Sequence, residues 1–366
     1  VIILTCATGE GHNSAAHAIA EALNERNIPH EIVDILMTFA PKELARLVIG
    51  SYNEMIKTIP QAFGYVYKVG ELVSSNKRHS PVYYANTLYA SKLHEYLDEN
   101  GFDTAISTHL YGAQALSFIR RKHKYPIRSY MVATDYTCIP FFEEIDVDQW
   151  IIPHESLRRE WMTKNIPDEK IVSLGIPVKK QFRRKTEKSL ARDIIGIPQD
   201  RSAFLIMSGG VGSGAVLEIV ENLIAYAAKP ISIVALVGRN SKLHDTLVSK
   251  YPQSGSVKAV VYTQEVDVFM DACDVLITKA GGLSTTEAAV KNIPIVHVGA
   301  IPGCETRNTL FFRDRGMSML AENSESAARI AYELAISPVR ISAMLAMQRN
   351  IINPNAAQDI VDLLVR

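Results

Sequence analysis

The first residue of this chain suited to moving a proton near neutral pH is His12, in the run Thr8-Gly9-Glu10-Gly11-His12-Asn13-Ser14. It follows residues 1–6, an apolar run read as a strand. Glycines there let the backbone turn sharply and aim its N–H groups at a ligand from a helix N-terminus. The same terminus favours the neutral imidazole, which suits a general base. The spacing also approaches G-x-G-x-x-small, and Asp34 falls at the end of the second strand-like run, so a dinucleotide fingerprint and a dehydrogenase are weighed. A histidine that only caps a helix is the structural alternative.

Three further runs follow strands. Met207-Ser208-Gly209-Gly210-Val211-Gly212-Ser213-Gly214 offers a nest of backbone donors suited to a diphosphate, without the Gly-Lys-Ser/Thr ending of a Walker loop. Thr278-Lys279-Ala280-Gly281-Gly282-Leu283-Ser284-Thr285-Thr286-Glu287 places hydroxyls for phosphate and a first-turn carboxylate for ribose. Equally, Ser284 followed by Glu287 reads as a capping box. Pro302-Gly303-Cys304-Glu305-Thr306-Arg307-Asn308 follows another strand, where ligands of open α/β sheets bind. Asp135 and His109 end two earlier strands, each a candidate acid or base or an ordinary loop residue.

These residues sit on a repeating strand–helix rhythm that indicates parallel sheets covered by helices. Strands are expected at 1–6, 30–36, 104–107, 130–133 and 150–152, then at 203–207, 231–237, 257–261, 275–278 and 295–298. Helices are expected at 13–26, 112–122, 215–228 and 355–365. The charged stretch 179–192 reads as a connection, after which the pattern restarts. With 366 residues, two domains each able to bury a core are expected.

Apolar residues make up 47% and charged residues 21%, which excludes disordered and fibrous classes. The 39 basic and 39 acidic residues cancel, which argues against wholesale nucleic-acid binding. Cys6, Cys138, Cys273 and Cys304 are widely spaced, which suggests reduced thiols in a cytosolic protein. No apolar stretch reaches the roughly 18–20 residues that span a bilayer, so any membrane contact is expected to be peripheral. Residues 37–92 break the rhythm and carry Tyr52, Phe63, Tyr65, Tyr67, Tyr83, Tyr84 and Tyr89 among lysines and arginines. They form either an interfacial surface or a helical subdomain with its own core. A second basic cluster, Arg120, Arg121, Lys122, Lys124 and Arg128, suits an anionic bilayer or a solvated helix end.

Taken together, Gly9-Glu10-Gly11-His12, Val132-Ala133-Thr134-Asp135-Tyr136, Gly175-Ile176-Pro177-Val178, Met207-Ser208-Gly209-Gly210, Val237-Gly238-Arg239-Asn240, Thr278-Lys279-Ala280-Gly281-Gly282 and Pro302-Gly303-Cys304-Glu305 resemble, over nearly the whole chain, the family of monogalactosyldiacylglycerol synthases and processive diacylglycerol glucosyltransferases. These are relatives of the peptidoglycan-precursor N-acetylglucosaminyltransferase. The resemblance implies a GT-B fold, two Rossmann-like domains facing across a cleft. An acceptor domain would span 1–178, a donor domain 179–350, and a helix at 351–366 would cross back. It implies an inverting hexosyltransferase that needs no cofactor or metal and takes a UDP-sugar as co-substrate.

Carried over, Gly209, Gly210, Val211, Gly212 and Ser213 would hold the diphosphate and Tyr262 and Thr263 would flank the uracil. Gly281, Gly282 and Ser284 would assist at phosphate, Glu287 would grip the ribose and Glu305 would contact the sugar. On the acceptor side, His12 or Asp135 would be the base, with Gly11, His109, Tyr65 and Tyr67 towards the lipid. The implied partners are a UDP-sugar, a lipid hydroxyl and an anionic membrane surface at the inner face of the cell. Three departures stand out: Cys304 where the family often has Gln, Ala7 where it often has Asp, and no His shortly after Asp135. Readings kept open are a non-diacylglycerol acceptor, a non-catalytic UDP-sugar sensor and a UDP-sugar 2-epimerase.

Overall fold

Short, continuously apolar strands flanked by amphipathic helices leave one economical arrangement, a parallel sheet buried on both faces. The computed structural model describes residues 1–7, 10–46, 50, 70, 79–208, 215–252, 255–300 and 302–365, and contains this arrangement twice. The first sheet comprises β1 (Ile2–Thr5), β2 (Glu31–Asp34), β3 (Thr104–Ser107), β4 (Arg128–Val132), β5 (Gln149–Ile152) and β6 (Ile171–Ser173), in the order β2-β1-β3-β4-β5-β6. The second comprises β7 (Ser202–Met207), β8 (Ile231–Gly238), β9 (Val257–Val261), β10 (Val275–Thr278), β11 (Ile295–His297) and β12 (Met319–Leu320), in the order β12-β11-β10-β7-β8-β9. Every pairing is parallel.

The helices that bear on the candidate site are α1 (Glu10–Glu25), α2 (Ile35–Phe39), α3 (Pro81–Thr87), α4 (Leu110–His123), α5 (Lys188–Ile195), α6 (Val266–Ala272), α7 (Gly282–Lys291), α8 (Cys304–Asp314) and α9 (Ala356–Leu364). The chain divides into two compact units. The first contains Val1–Lys180, Pro302–Cys304 and Asn353–Arg366, and the second Gln181–Ile301 and Glu305–Ile352.

Alternation along β1 contributes to two cores of the first unit. Ile2 and Leu4 face Leu93, Leu97, Leu116 and Ile119. Ile3 faces Ile19 and Leu23 of α1 and Ile360, Val361 and Leu364 of α9. The C-terminal helix thus completes the N-terminal core, and Arg128 donates to the Leu364 carbonyl at 3.1 Å. Gly112 lets α4 lie close to the sheet, since a Cβ there would fall 2.6 Å from Ser107 Oγ and 2.9 Å from Leu4 Cβ. In the second unit, Phe204, Ile206, Ile233 and Ile277 pack against Val220, Leu223, Ala327 and Ala331.

Several local expectations are corrected. The strand expected at 30–36 ends at Asp34, because its carboxylate accepts from Leu36 N (3.0 Å) and Met37 N (2.9 Å) and starts α2. α1 begins at Glu10 rather than 13, so Gly11 and His12 lie in its first turn. The connection expected at 179–192 contains the helix Lys180–Arg183 and most of α5, whose Ala191, Arg192 and Ile195 are buried. The connection is also fastened. Lys291 of α7 forms an ion pair with Asp271 of α6, both side chains 1% exposed, and donates to Arg184 O at 2.6 Å.

In the aromatic insertion, Tyr83 and Tyr89 are buried, and Met37, Tyr84 and Leu88 are the exposed large apolar groups of that stretch among the described residues. Tyr52, Phe63, Tyr65 and Tyr67 lie outside the described residues. Part of the basic cluster is also occupied within the fold. Arg120 pairs with Asp148 at 2.6 Å, and Arg121 donates to Glu144 O at 3.2 Å.

Candidate active site

In a sheet ordered β2-β1-β3, the crevice for ligands opens beyond the carboxyl ends of β1 and β3, where successive connections leave in opposite directions. His12, Thr108, His109, Thr134 and Asp135 all follow the strands at or beside that point. His12 is half-buried, with its Nδ1 2.8 Å from Thr108 O. A carbonyl can only accept, so Nδ1 carries the proton and Nε2 keeps its lone pair. Thr134 Oγ1 lies 3.1 Å from the same Nδ1, and Thr108 Oγ1 donates to His12 O at 3.1 Å. The ring is therefore held from the β3 and β4 sides.

Burial lowers the His12 pKa from its ordinary value, while the Asp135 carboxylate and the Thr108 bond pull the other way without cancelling it. The imidazole is neutral at pH 7. His109 stands edge-on to it, with ring centroids 4.5 Å apart. The Tyr111 N–H donates to His109 Nδ1 at 3.2 Å, which leaves the proton on Nε2. Burial, and then the proximity of His12, hold the His109 pKa well below its usual range. One neutral imidazole thus offers a lone pair and its neighbour offers an N–H. Asp135 is half-exposed, and the loop behind it is pinned by Glu160, which accepts from Thr137 Oγ1 (2.6 Å) and Cys138 N (2.9 Å).

The corresponding switch point in the second unit lies between β7 and β10. Thr278 Oγ1 donates to Met207 O at 3.3 Å and ties the two strand ends together. Gly209, Gly210, Val211, Gly212 and Ser213 lie outside the described residues. Gly281 is the N-cap of α7 and Gly282 its first residue, with Thr285 N donating to Gly281 O at 3.0 Å. Helical bonding thus begins at the glycines. Ser284 is then the third helical residue and Glu287 the sixth. This corrects both the first-turn position expected for Glu287 and the capping box, since no side chain caps α7. Glu287 is buried at 7% exposure one turn further in.

Glu305, the second residue of α8, is buried and receives Lys279 Nζ at 2.8 Å. Asn308 Nδ2 donates to Ala280 O at 3.0 Å, which docks α8 onto the loop before α7. Tyr262 is exposed just past β9, with the Arg239 guanidinium 5.2 Å from its ring centroid. The Thr263 hydroxyl accepts from Glu265 N at 3.1 Å and so shapes its own turn. Below α7, His297 lies between Thr285 Oγ1 (3.3 Å) and Ser318 Oγ (3.1 Å), and burial lowers its pKa to about 3. Among the described residues, no group of three or more His, Cys, Asp or Glu side chains is placed to hold a metal ion.

The sequence reading did not single out Thr108, Glu160 or the Lys279–Glu305 pair. A strand-end position marks Thr108 and Lys279, but their partners are distant in the chain.

The family model for monogalactosyldiacylglycerol (MGDG) synthase matches residues 12–178, the stretch that carries His12, His109 and Asp135. A processive diacylglycerol β-glucosyltransferase of Bacillus mycoides (strain KBAB4) is 23% identical across all of this chain and 93% of its own length. One from Staphylococcus carnosus (strain TM300) is 24% identical over 91% of this chain and 84% of its own length. Its sequence similarity to these glycosyltransferases extends over the whole chain.

Solved structures share its fold. Acinetobacter baumannii MurG aligns with a TM-score of 0.64 at 15% identity, covering 99% of this chain and 98% of its own. The calicheamicin glycosyltransferase CalG4 also gives 0.64, at 13% identity and 99% and 97% coverage. A Neisseria meningitidis UDP-GlcNAc 2-epimerase, solved with UDP-GlcNAc, gives 0.64 at 14% identity and 100% and 99% coverage. The two parallel six-stranded Rossmann-like sheets are those of the GT-B fold. A fold common to transferases and an epimerase does not by itself name a reaction. In sequence, the similarity along the chain is to glycosyltransferases.

Proposed function

We propose that this chain transfers a hexose from a UDP-sugar to a hydroxyl of a membrane lipid, diacylglycerol or a glycosyl-diacylglycerol, with inversion. The observation that carries the reading is the tautomer of His12. Its Nδ1 proton is committed to Thr108 O at 2.8 Å, so Nε2 is a base at neutral pH. Nε2 takes the proton of the lipid hydroxyl, and that oxygen attacks the anomeric carbon from the face opposite UDP. The bond from the anomeric carbon to the phosphate oxygen breaks, and its electron pair leaves with UDP. The imidazolium so formed is stabilised by Asp135 and the Thr108 carbonyl, the two groups that oppose the burial penalty. N–H groups at the N-terminus of α7, the Ser284 hydroxyl and the glycine-rich loop at 209–214 meet the charge growing on the diphosphate. Glu287 takes the ribose hydroxyls, and Glu305 takes the sugar.

The relatives named above are described as acting on diacylglycerol, and the first unit supports a lipid surface. Met37 of α2, Tyr84 of α3 and Leu88, all within the aromatic insertion, are exposed at 67%, 59% and 69%. Among the described residues, no single helix is long and apolar enough to cross a membrane. Attachment on the inner face of the membrane is therefore proposed to be peripheral.

The test is incubation with vesicles of phosphatidylglycerol containing diacylglycerol and radiolabelled UDP-glucose or UDP-galactose, followed by chromatography of the lipids. A labelled glycolipid is expected. Label found only on a soluble acceptor, or no turnover with UDP bound, contradicts the lipid reading.

Two substitutions address the roles. Glu287→Ala is expected to weaken UDP binding by about 10- to 100-fold, the usual worth of a hydrogen bond to a charged group, as measured by calorimetry. Unchanged affinity removes Glu287 from the ribose. Asp135→Asn is expected to slow transfer by less than His12→Ala does; the reverse order in single-turnover rates makes Asp135 the base.

A further inference from the structure

Among the lysine–carboxylate pairs of the second unit, two differ in a way that separates structure from function. Lys291 and Asp271 are both 1% exposed and also bind the backbone at Arg184 and Thr186. That pair is enclosed and fastens the connection to the unit. Lys279 and Glu305 are paired at 2.8 Å, with the lysine side chain still 26% exposed and the glutamate 10%. Their ion pair stands at the ligand-facing end of the sheet: Lys279 is the first residue after β10, and Glu305 lies in the first turn of α8. A carboxylate there is already favoured by the helix N-terminus, so folding alone does not require the lysine. An ammonium carries three N–H donors, and the ion pair uses one.

We propose that Lys279 is the positioning residue that aligns Glu305 as the acceptor for a hydroxyl of the donor hexose. The pair then reads the sugar, while α7 and the glycine-rich loop hold the nucleotide. The Lys279 ammonium restrains one Glu305 oxygen and leaves the carboxylate oriented towards the sugar. Without that restraint the Glu305 carboxylate loses the ammonium paired with it at 2.8 Å. This inference rests on the donor site proposed above.

Calorimetry with UDP, UDP-glucose and UDP-galactose on the full chain tests it. Lys279→Met is expected to weaken the UDP-hexose that wild type prefers by about 10- to 100-fold, and UDP itself by less than about threefold. In turnover the loss appears in KM more than in kcat. Lys279→Arg, which keeps the cation, restores most of the sugar-dependent affinity. Lys279→Gln gives the same loss in milder form and serves if the methionine variant does not fold. Equal losses for UDP and UDP-hexose, or no loss of either, overturn the role of Lys279 while the donor site stands. Failure of the wild type to bind UDP at all removes the donor site, and the inference with it.

Discussion

Replacing His12 with alanine is expected to slow glycosyl transfer by about 10²–10⁴-fold, the usual worth of a positioned general base. UDP affinity is expected to stay nearly unchanged, because the groups proposed to hold the nucleotide belong to the second unit. The size of the effect follows from how completely the ring is specified. Thr108 O fixes the tautomer, Thr134 holds the same nitrogen, and His109 packs edge-on. Water in the alanine variant cannot reproduce an oriented lone pair. The pH dependence has a definite sign. The proposed mechanism needs neutral His12, and burial lowers its pKa, so the acid limb of kcat/KM is expected to fall below the ordinary histidine value of about 6.5. Single-turnover rates across pH 5–8 check both points. Wild-type-like turnover in the variant removes His12 from the mechanism.

The second large effect concerns stability. His297 is buried at the end of β11, flanked by two hydroxyls, and its pKa in the fold is about 3. The unfolded chain takes up this proton near pH 6.5 while the folded chain does not. Its contribution is therefore complete above about 6.5 and is lost as pH falls towards 3. At about 1.4 kcal/mol per pH unit, the loss is roughly 2 kcal/mol by pH 5 and about 5 kcal/mol at the lower limit. Urea midpoints at pH 7 and pH 5 should separate for the wild type and draw together in His297→Gln, which keeps a polar side chain that cannot charge. Because His297 packs beneath α7 through Thr285, UDP binding should weaken with acid in the same variant-dependent way. An identical shift in the variant assigns the acid sensitivity to other groups.

Much of the fold was legible because a parallel strand buried on both faces reads as an unbroken apolar run. Val275–Thr278, buried throughout, begins and ends where that pattern does. β6 and β12, at three and two residues, are too short to leave one. Asp34 illustrates a different failure. An acidic residue at the end of a second strand suits a ribose and caps a helix equally well, and here its carboxylate is bonded to the Leu36 and Met37 amides. The dehydrogenase reading loses its ribose-binding acid there. The stretch 179–192 contains the change of unit between Lys180 and Gln181, but its charge hid the helix α5, which buries Ala191 and Arg192. Composition left Tyr83 and Tyr89 open between a core and a surface, since an aromatic count does not distinguish the two; both are buried.

At the candidate site, strand ends were visible in sequence but partnerships were not. Lys279 and Glu305 are 26 residues apart, and Thr108 reaches His12 across 96. Such pairs exist only once the sheet has brought its strand ends together.

The central claim is that the second unit holds the uridine diphosphate while the first supplies the base. Amide hydrogen exchange by mass spectrometry, with and without UDP on the full chain, tests it most directly. Slower exchange is expected in peptides covering 278–287 and 302–309, with residues 10–25 unaffected. Protection confined to the N-terminal glycine turn and α1, or none at saturating UDP, contradicts it.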